Sequence, residues 1–178
     1  RDGGGPLMRA LFAQFGEQHV HAQRFHRSRW RGDAPHVTLG PWCVNIVTHS
    51  TNSRLAEDLE QVARHRPPIV VTALGGPKPV MDIVHGYGGI VIADVINMSL
   101  ARKAIAARVD GPACIAAGAG GHTGFLSPFA FIAAVRAEFD GLIVVGGGIG
   151  DGHGVAGAIT AGADFVYMGT RFIPSEES

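Results

Sequence analysis

Between positions 118 and 124 the chain reads Gly118-Ala119-Gly120-Gly121-His122-Thr123-Gly124, so one imidazole is set among four glycines directly after an apolar, strand-like run. Glycine has no Cβ and tolerates positive φ, and a ligand can therefore come up against the main chain of such a loop. His122 is the loop's only side chain able to exchange a proton near neutral pH, which makes it the candidate catalytic group, a general acid or base. A solvated histidine on a structural glycine turn would share this local pattern, so the surrounding elements must decide between the two. Two more glycine-rich turns stand further on: Gly146-Gly147-Gly148-Ile149-Gly150, followed by Asp151, and Met168-Gly169-Thr170-Arg171. Backbone amides of that kind beside a helix N-terminus suit an anion such as a phosphate.

The elements that would hold these turns repeat. Continuously apolar, β-rich runs occupy 43–47, 69–74, 90–95, 113–117, 142–145 and 164–168. Between them lie helical stripes: Leu55, Leu59 and Val62 behind the caps Thr51-Asn52-Ser53; Val80, Ile83, Val84 and Tyr87; Leu100, Ala104 and Ile105 behind Ser99. Ser127-Pro128 and Asp151 open the last two helices as N-caps. Strand starts fall 21–29 residues apart, the length of one strand–helix unit. Runs that are apolar throughout, rather than alternating, belong to parallel strands covered on both faces.

Two architectures fit, an open doubly wound sheet or a (β/α)8 barrel, and in both of them ligands sit at the carboxyl ends of the strands, where every glycine-rich turn here lies. A dinucleotide fingerprint fails, because Thr123 stands where GxGxxG requires its third glycine. In barrels a phosphate is commonly held by the loops after the last two strands, which matches the turns at 146–150 and 168–171. Counting back from there makes the six runs strands three to eight of a (β/α)8 TIM barrel. Strands one and two would then fall in 1–40, which read instead as one short helix over 7–15 and a His- and Arg-rich stretch, so the barrel is expected to be incomplete.

Composition narrows the partners. The chain has 178 residues, fewer than the roughly 250 of a typical complete barrel. Fifteen basic groups balance fifteen acidic ones, which argues against recruitment to nucleic acid or to an anionic membrane and for a small-molecule partner. Six of the arginines lie in the first 36 residues, but the aromatics there have no RNA-module pattern, and 1–40 are set apart as an atypical basic segment from a barrel domain over 41–178. Cys43 and Cys114 lie in separate apolar runs, as buried thiols in a reducing compartment would, and His49, His65, His85 and His153 have no metal-ligand spacing, so no metal site is expected. No run reaches membrane-spanning length and no signal segment opens the chain, which points to the cytoplasm.

Residues 43–178 resemble the FMN-dependent nitronate monooxygenase family, also known as 2-nitropropane dioxygenases. The likeness is carried by 117–124, by 146–152, by Gly162-Ala163-Asp164 leading to Met168-Gly169-Thr170-Arg171-Phe172, and by Val44-Asn45-Ile46. The resemblance implies a flavin barrel with FMN held by Asn45, Gly120, Gly121, Gly147, Gly148, Gly150, Gly169 and Thr170. It implies that His122 acts as base on a nitroalkane, or steadies the developing anion, with the flavin taking the electrons and O₂ accepting them from it. Asp94 ends a strand on the functional side where some relatives carry a lysine toward the flavin, and a carboxylate there would instead bind ribityl hydroxyls or cap a turn; Arg171 follows the phosphate turn, to pair with the phosphate or form a surface ion pair; both are weaker candidates. An NAD(P)H:quinone or enoyl reductase of the same flavin-barrel family is the nearest alternative, and a non-catalytic truncated remnant the next. Two open sheet edges would favour pairing with a second copy, hence a homo-oligomer.

Overall fold

The computed structural model describes residues 42–174, together with the backbone of Ala10–Leu11. After β1 (Ala10–Leu11), strands and helices alternate: β2 (Cys43–Val47), α1 (Leu55–His65), β3 (Ile69–Ala73), α2 (Lys78–Gly86), β4 (Ile90–Val95) and α3 (Met98–Ala106). Then come β5 (Gly111–Ile115), α4 (Pro128–Arg136), β6 (Val144–Gly146), α5 (Gly152–Thr160) and β7 (Phe165–Tyr167). The sheet order is β1-β7-β6-β5-β4-β3-β2, and every neighbouring pair is parallel. This is the incomplete (β/α)8 barrel expected from the spacing.

Alternation along each strand divides the interior into two layers. Val44, Ile46, Val70, Val91, Val95, Val145 and Val166 pack with helix residues such as Val80, Val84, Phe131 and Ile132 in one core. Val71, Ile92, Ala113, Ile115, Val144 and Tyr167 form a second cluster that contains no helical residue, which is the concave face of the curled sheet. Both sides of β3 to β6 are therefore closed to water, and that is why their sequences carry apolar residues at consecutive positions.

Several sequence expectations are corrected. The helix expected over 7–15 is contradicted at Ala10–Leu11, which form a strand in register with Val166 and Tyr167; the rest of that stretch lies outside the described residues. A strand does therefore stand beside the last one, where a barrel's first strand belongs. Its two-residue length and lack of a β-rich run hid it, since pairing to β7 is a long-range contact. Arg54, not a residue of the Thr51-Asn52-Ser53 run, is the N-cap of α1, and Asn52 Oδ1 accepts from its amide at 3.0 Å. Asn97 rather than Ser99 caps α3, with Oδ1 accepting from Leu100 N at 2.9 Å. The run expected over 113–117 is β5, which begins two residues earlier, at Gly111, and includes Pro112. Ser127 and Asp151 cap α4 and α5 as read.

One polar cluster ties the last two units together. Arg136, at the end of α4, donates to Gly162 O at 2.7 Å, Asp164 Oδ2 at 2.8 Å and Gly141 O at 2.8 Å. Asp164 Oδ2 also accepts from Ile143 N at 2.8 Å, just before β6. The fork thus fixes the entry to β6 and β7 from below. Arg136→Ala is expected to lower unfolding free energy by about 2 kcal/mol, because it leaves a half-buried carboxylate and two carbonyls without their charged donor. Denaturant titration checks this, and an unchanged midpoint would show the fork to be idle.

Candidate functional site

The loop after β5 is closed at its base by short bonds. Ala116 N donates to Gly146 O at 2.7 Å, Ala117 N to Leu126 O at 2.8 Å, and Gly124 N to Ile115 O at 3.1 Å. Thr123 Oγ1 adds a bond to Ala116 O at 2.7 Å. A Cβ at Gly124 would strike the carbonyl of Ile96, so glycine there is a packing necessity. What remains free to form a site is the arch of 118–122 above this base.

That arch meets the other two glycine turns. Gly148 N donates to Gly118 O at 3.0 Å, bonding the loops after β5 and β6 to each other. Gly118, Gly147 and Gly148 all adopt positive φ, at 91°, 129° and 68°. A Cβ on Gly147 would lie 2.7 Å from Ala116 O, and one on Gly118 would lie 3.1 Å from Gly148 N. Gly120 sits against Thr170, whose Oγ1 occupies the place its Cβ would take. The turns after β5, β6 and β7 therefore converge on one rim, as the sequence placed them. Gly148 departs from expectation in one respect: its amide is not bare, being spent on Gly118.

Beside these turns there is room. A Cβ added at Gly121, Gly148 or Gly150 would meet no atom within 4 Å. Among the described residues, no backbone hydrogen bond engages the amides of Gly120, Gly121, Gly150 or Thr170. Unengaged amides around glycines with open space at the missing Cβ form a cradle that fits a phosphate group. At the start of α5 the Gly154 amide is already taken by Asp151 Oδ1 at 2.8 Å. A small pocket of about 220 Å³ lies on the helix-side flank of the turns, lined by Ala117, Phe129, Gly147, Gly148, Ile149 and Gly154 among others.

His122 is exposed on the same arch as Gly120. It stands two residues along the chain from Gly120, the residue that meets Thr170. Asn45 is half-buried on β2, in register with Val71 and on the concave side, five strands away from β7 in the sheet order. Arg171 is exposed. The structure thus joins Gly120, Gly147, Gly148 and Thr170 by contact, while Asn45 stands midway along β2, at the far end of the sheet order.

Two concave-face residues carry more than the sequence indicated. Asp94 and Tyr167 each have a buried polar atom, Oδ1 and the hydroxyl, with no hydrogen-bond partner among the described residues. Burial pushes the Asp94 carboxyl up to about 7, although the residue as a whole keeps some exposure; the shut-off oxygen is what decides its behaviour. Burial also raises the Tyr167 phenol well above its ordinary range, and nearby Asp94 and Cys43 raise it further. Tyr167 was legible only as a strand residue. The available signal was a hydroxyl on an otherwise apolar buried run, where a partner is normally required. Cys114 is buried on the helix side with its thiol pushed up to about 12, an inert position. No disulfide joins it to Cys43. Among the described residues no helix is long and apolar enough to cross a membrane.

A curled parallel sheet whose glycine turns gather at the carboxyl rim defines a protein of the (β/α)-barrel class, in which ligand sites lie at that rim. The model of the nitronate monooxygenase family matches residues 36–178, and the chain belongs to that family. A nitronate monooxygenase of Neurospora crassa is 33% identical over 118 residues, which cover 60% of this chain and 30% of that protein. The structure of FabK from Thermotoga maritima superposes with a TM-score of 0.72 at 32% identity, covering 79% of this chain and 45% of that one. A nitroalkane oxidase from Streptomyces ansochromogenes gives a TM-score of 0.65 at 27% identity, over 69% of this chain and 39% of that one. The chain spans 30% to 40% of the length of the curated relatives it matches.

Proposed function

We propose that this chain carries the FMN-binding rim and the catalytic histidine of an oxidoreductase that converts alkyl nitronates or nitroalkanes with O₂. One observation carries the reading: the turns after β5, β6 and β7 form a single cradle, tied by Gly148 N to Gly118 O at 3.0 Å and by Gly120 against Thr170. Membership of the nitronate monooxygenase family supports the reaction class.

In this reading the amides of Gly120, Gly121, Gly150 and Thr170 hold the phosphate, Gly148 admits it by the absence of a side chain, and Gly147 and Gly169 shape the turns on either side. Asn45 addresses the ring or its chain from β2. His122 takes the acidic proton from the carbon next to the nitro group onto a ring nitrogen, leaving the electron pair on the resulting nitronate. Exposure lets that proton pass on to water. The flavin, when bound, supplies the electron-accepting and O₂-reducing chemistry that no side chain of this chain can provide.

Purified chain mixed with FMN is expected to quench flavin fluorescence saturably and to consume O₂ with ethyl nitronate. Oxidation of NAD(P)H by a quinone, without nitronate turnover, would instead assign the chain to the reductase branch. Absence of FMN binding would overturn the reading.

A further inference from the structure

Asp94 Oδ1 and the Tyr167 hydroxyl are both buried on the concave face, and both lack a partner among the described residues. Tyr167 is only 6% exposed. They come from β4 and β7, where Ala93, Val95 and Val166 beside them pack on the helix side, so both side chains lie on the concave face of the sheet. The concave residues around them, Ile92, Ala113, Ile115, Val144 and Phe165, offer no polar side-chain atom. Thr48 Oγ1 and Thr72 Oγ1 are likewise buried without a partner among the described residues, but Asp94 and Tyr167 are the two that face the concave side, where a buried polar atom calls for one.

Position indicates what would. Tyr167 lies two residues before Gly169 on the same extended chain, which places it about 7 Å below the phosphate turn. Asp94 stands next to the carboxyl end of β4 and Tyr167 at the carboxyl end of β7, the rim at which the glycine turns gather. The partner has to offer both a donor and an acceptor, since a phenol and a carboxyl flank it. A carboxyl with its pKa pushed up to about 7 is present in both forms near neutrality and fills either role.

We propose that Asp94 and Tyr167 together bind a hydroxyl of the polyol chain that links the phosphate to the flavin ring. The assignment rests on the flavin reading above and adds to it two positioning residues on the wall of the half-barrel. Their contribution is to the polyol and not to the ring or the phosphate.

Riboflavin and lumiflavin separate these contributions, because both lack the phosphate and only riboflavin has the polyol. Their dissociation constants would be measured by fluorescence quenching for the wild-type chain, Tyr167→Phe and Asp94→Asn, with circular dichroism to check folding. The wild type is expected to prefer riboflavin by about tenfold or more, and each variant to weaken riboflavin about 3- to 10-fold while leaving lumiflavin unchanged. An unchanged preference in a folded variant, or equal weakening of both ligands, overturns the assignment. If one variant does not fold, the other decides. A wild type that binds FMN while its variants keep the full preference defeats this pair alone. One that binds neither FMN nor riboflavin defeats the flavin reading with it.

Discussion

Replacing His122 by alanine is expected to reduce turnover of a neutral nitroalkane by a factor of about 10² to 10⁴, the usual contribution of a positioned general base. The same variant should bind FMN within a factor of two or so of the wild type. The reasons are structural. His122 is exposed, and the bonds that shape its loop run through Gly118, Thr123 and Gly124 rather than through its ring. Supplying the preformed nitronate bypasses proton removal, so turnover of that substrate should fall much less. Steady-state O₂ consumption with both substrates, together with an FMN titration, measures all three quantities. Parallel loss of flavin binding and turnover would make the histidine a support of the loop and remove it from the chemistry.

Gly148→Val is expected to do the reverse, weakening FMN binding by about a hundredfold or more while leaving a folded chain. A Cβ at this position meets nothing within 4 Å, so the added branches project into the space assigned to the phosphate. Its φ of 68° is unfavourable for a β-branched residue, at a cost of about 1–2 kcal/mol, which should show as a modestly lower melting temperature. Gly147→Val is the instructive companion. There φ is 129° and the Cβ would press against Ala116 O at 2.7 Å, so stability itself should collapse. A Gly148→Val protein that melts only a little below the wild type and loads fully with FMN would show that the phosphate lies elsewhere.

Most of the architecture was legible because burial on both faces leaves an unusual mark. Runs such as Ile69-Val70-Val71 and Ile90-Val91-Ile92-Ala93 are apolar at successive positions, and no exposed strand or amphipathic helix needs that. The glycine turns were legible for a related reason: three positive-φ positions, at Gly118, Gly147 and Gly148, leave little choice of residue. Caps were less so, since Asn52, Ser53, Arg54 and Asn97 compete locally, and the winner depends on how the preceding strand delivers the chain.

What the sequence by itself determined is the order of parallel units and the identity of the residues at their carboxyl ends, because both follow from local patterns of burial and backbone freedom. Tertiary structure alone decided that Ala10–Leu11 pair with β7, that Gly148 spends its amide on Gly118, and that Asp94 and Tyr167 both face the concave side with no partner among the described residues. Each of these joins positions at least 30 residues apart in the chain. Contacts of that range depend on the curl and shear of the whole sheet, which no local pattern of residue types encodes.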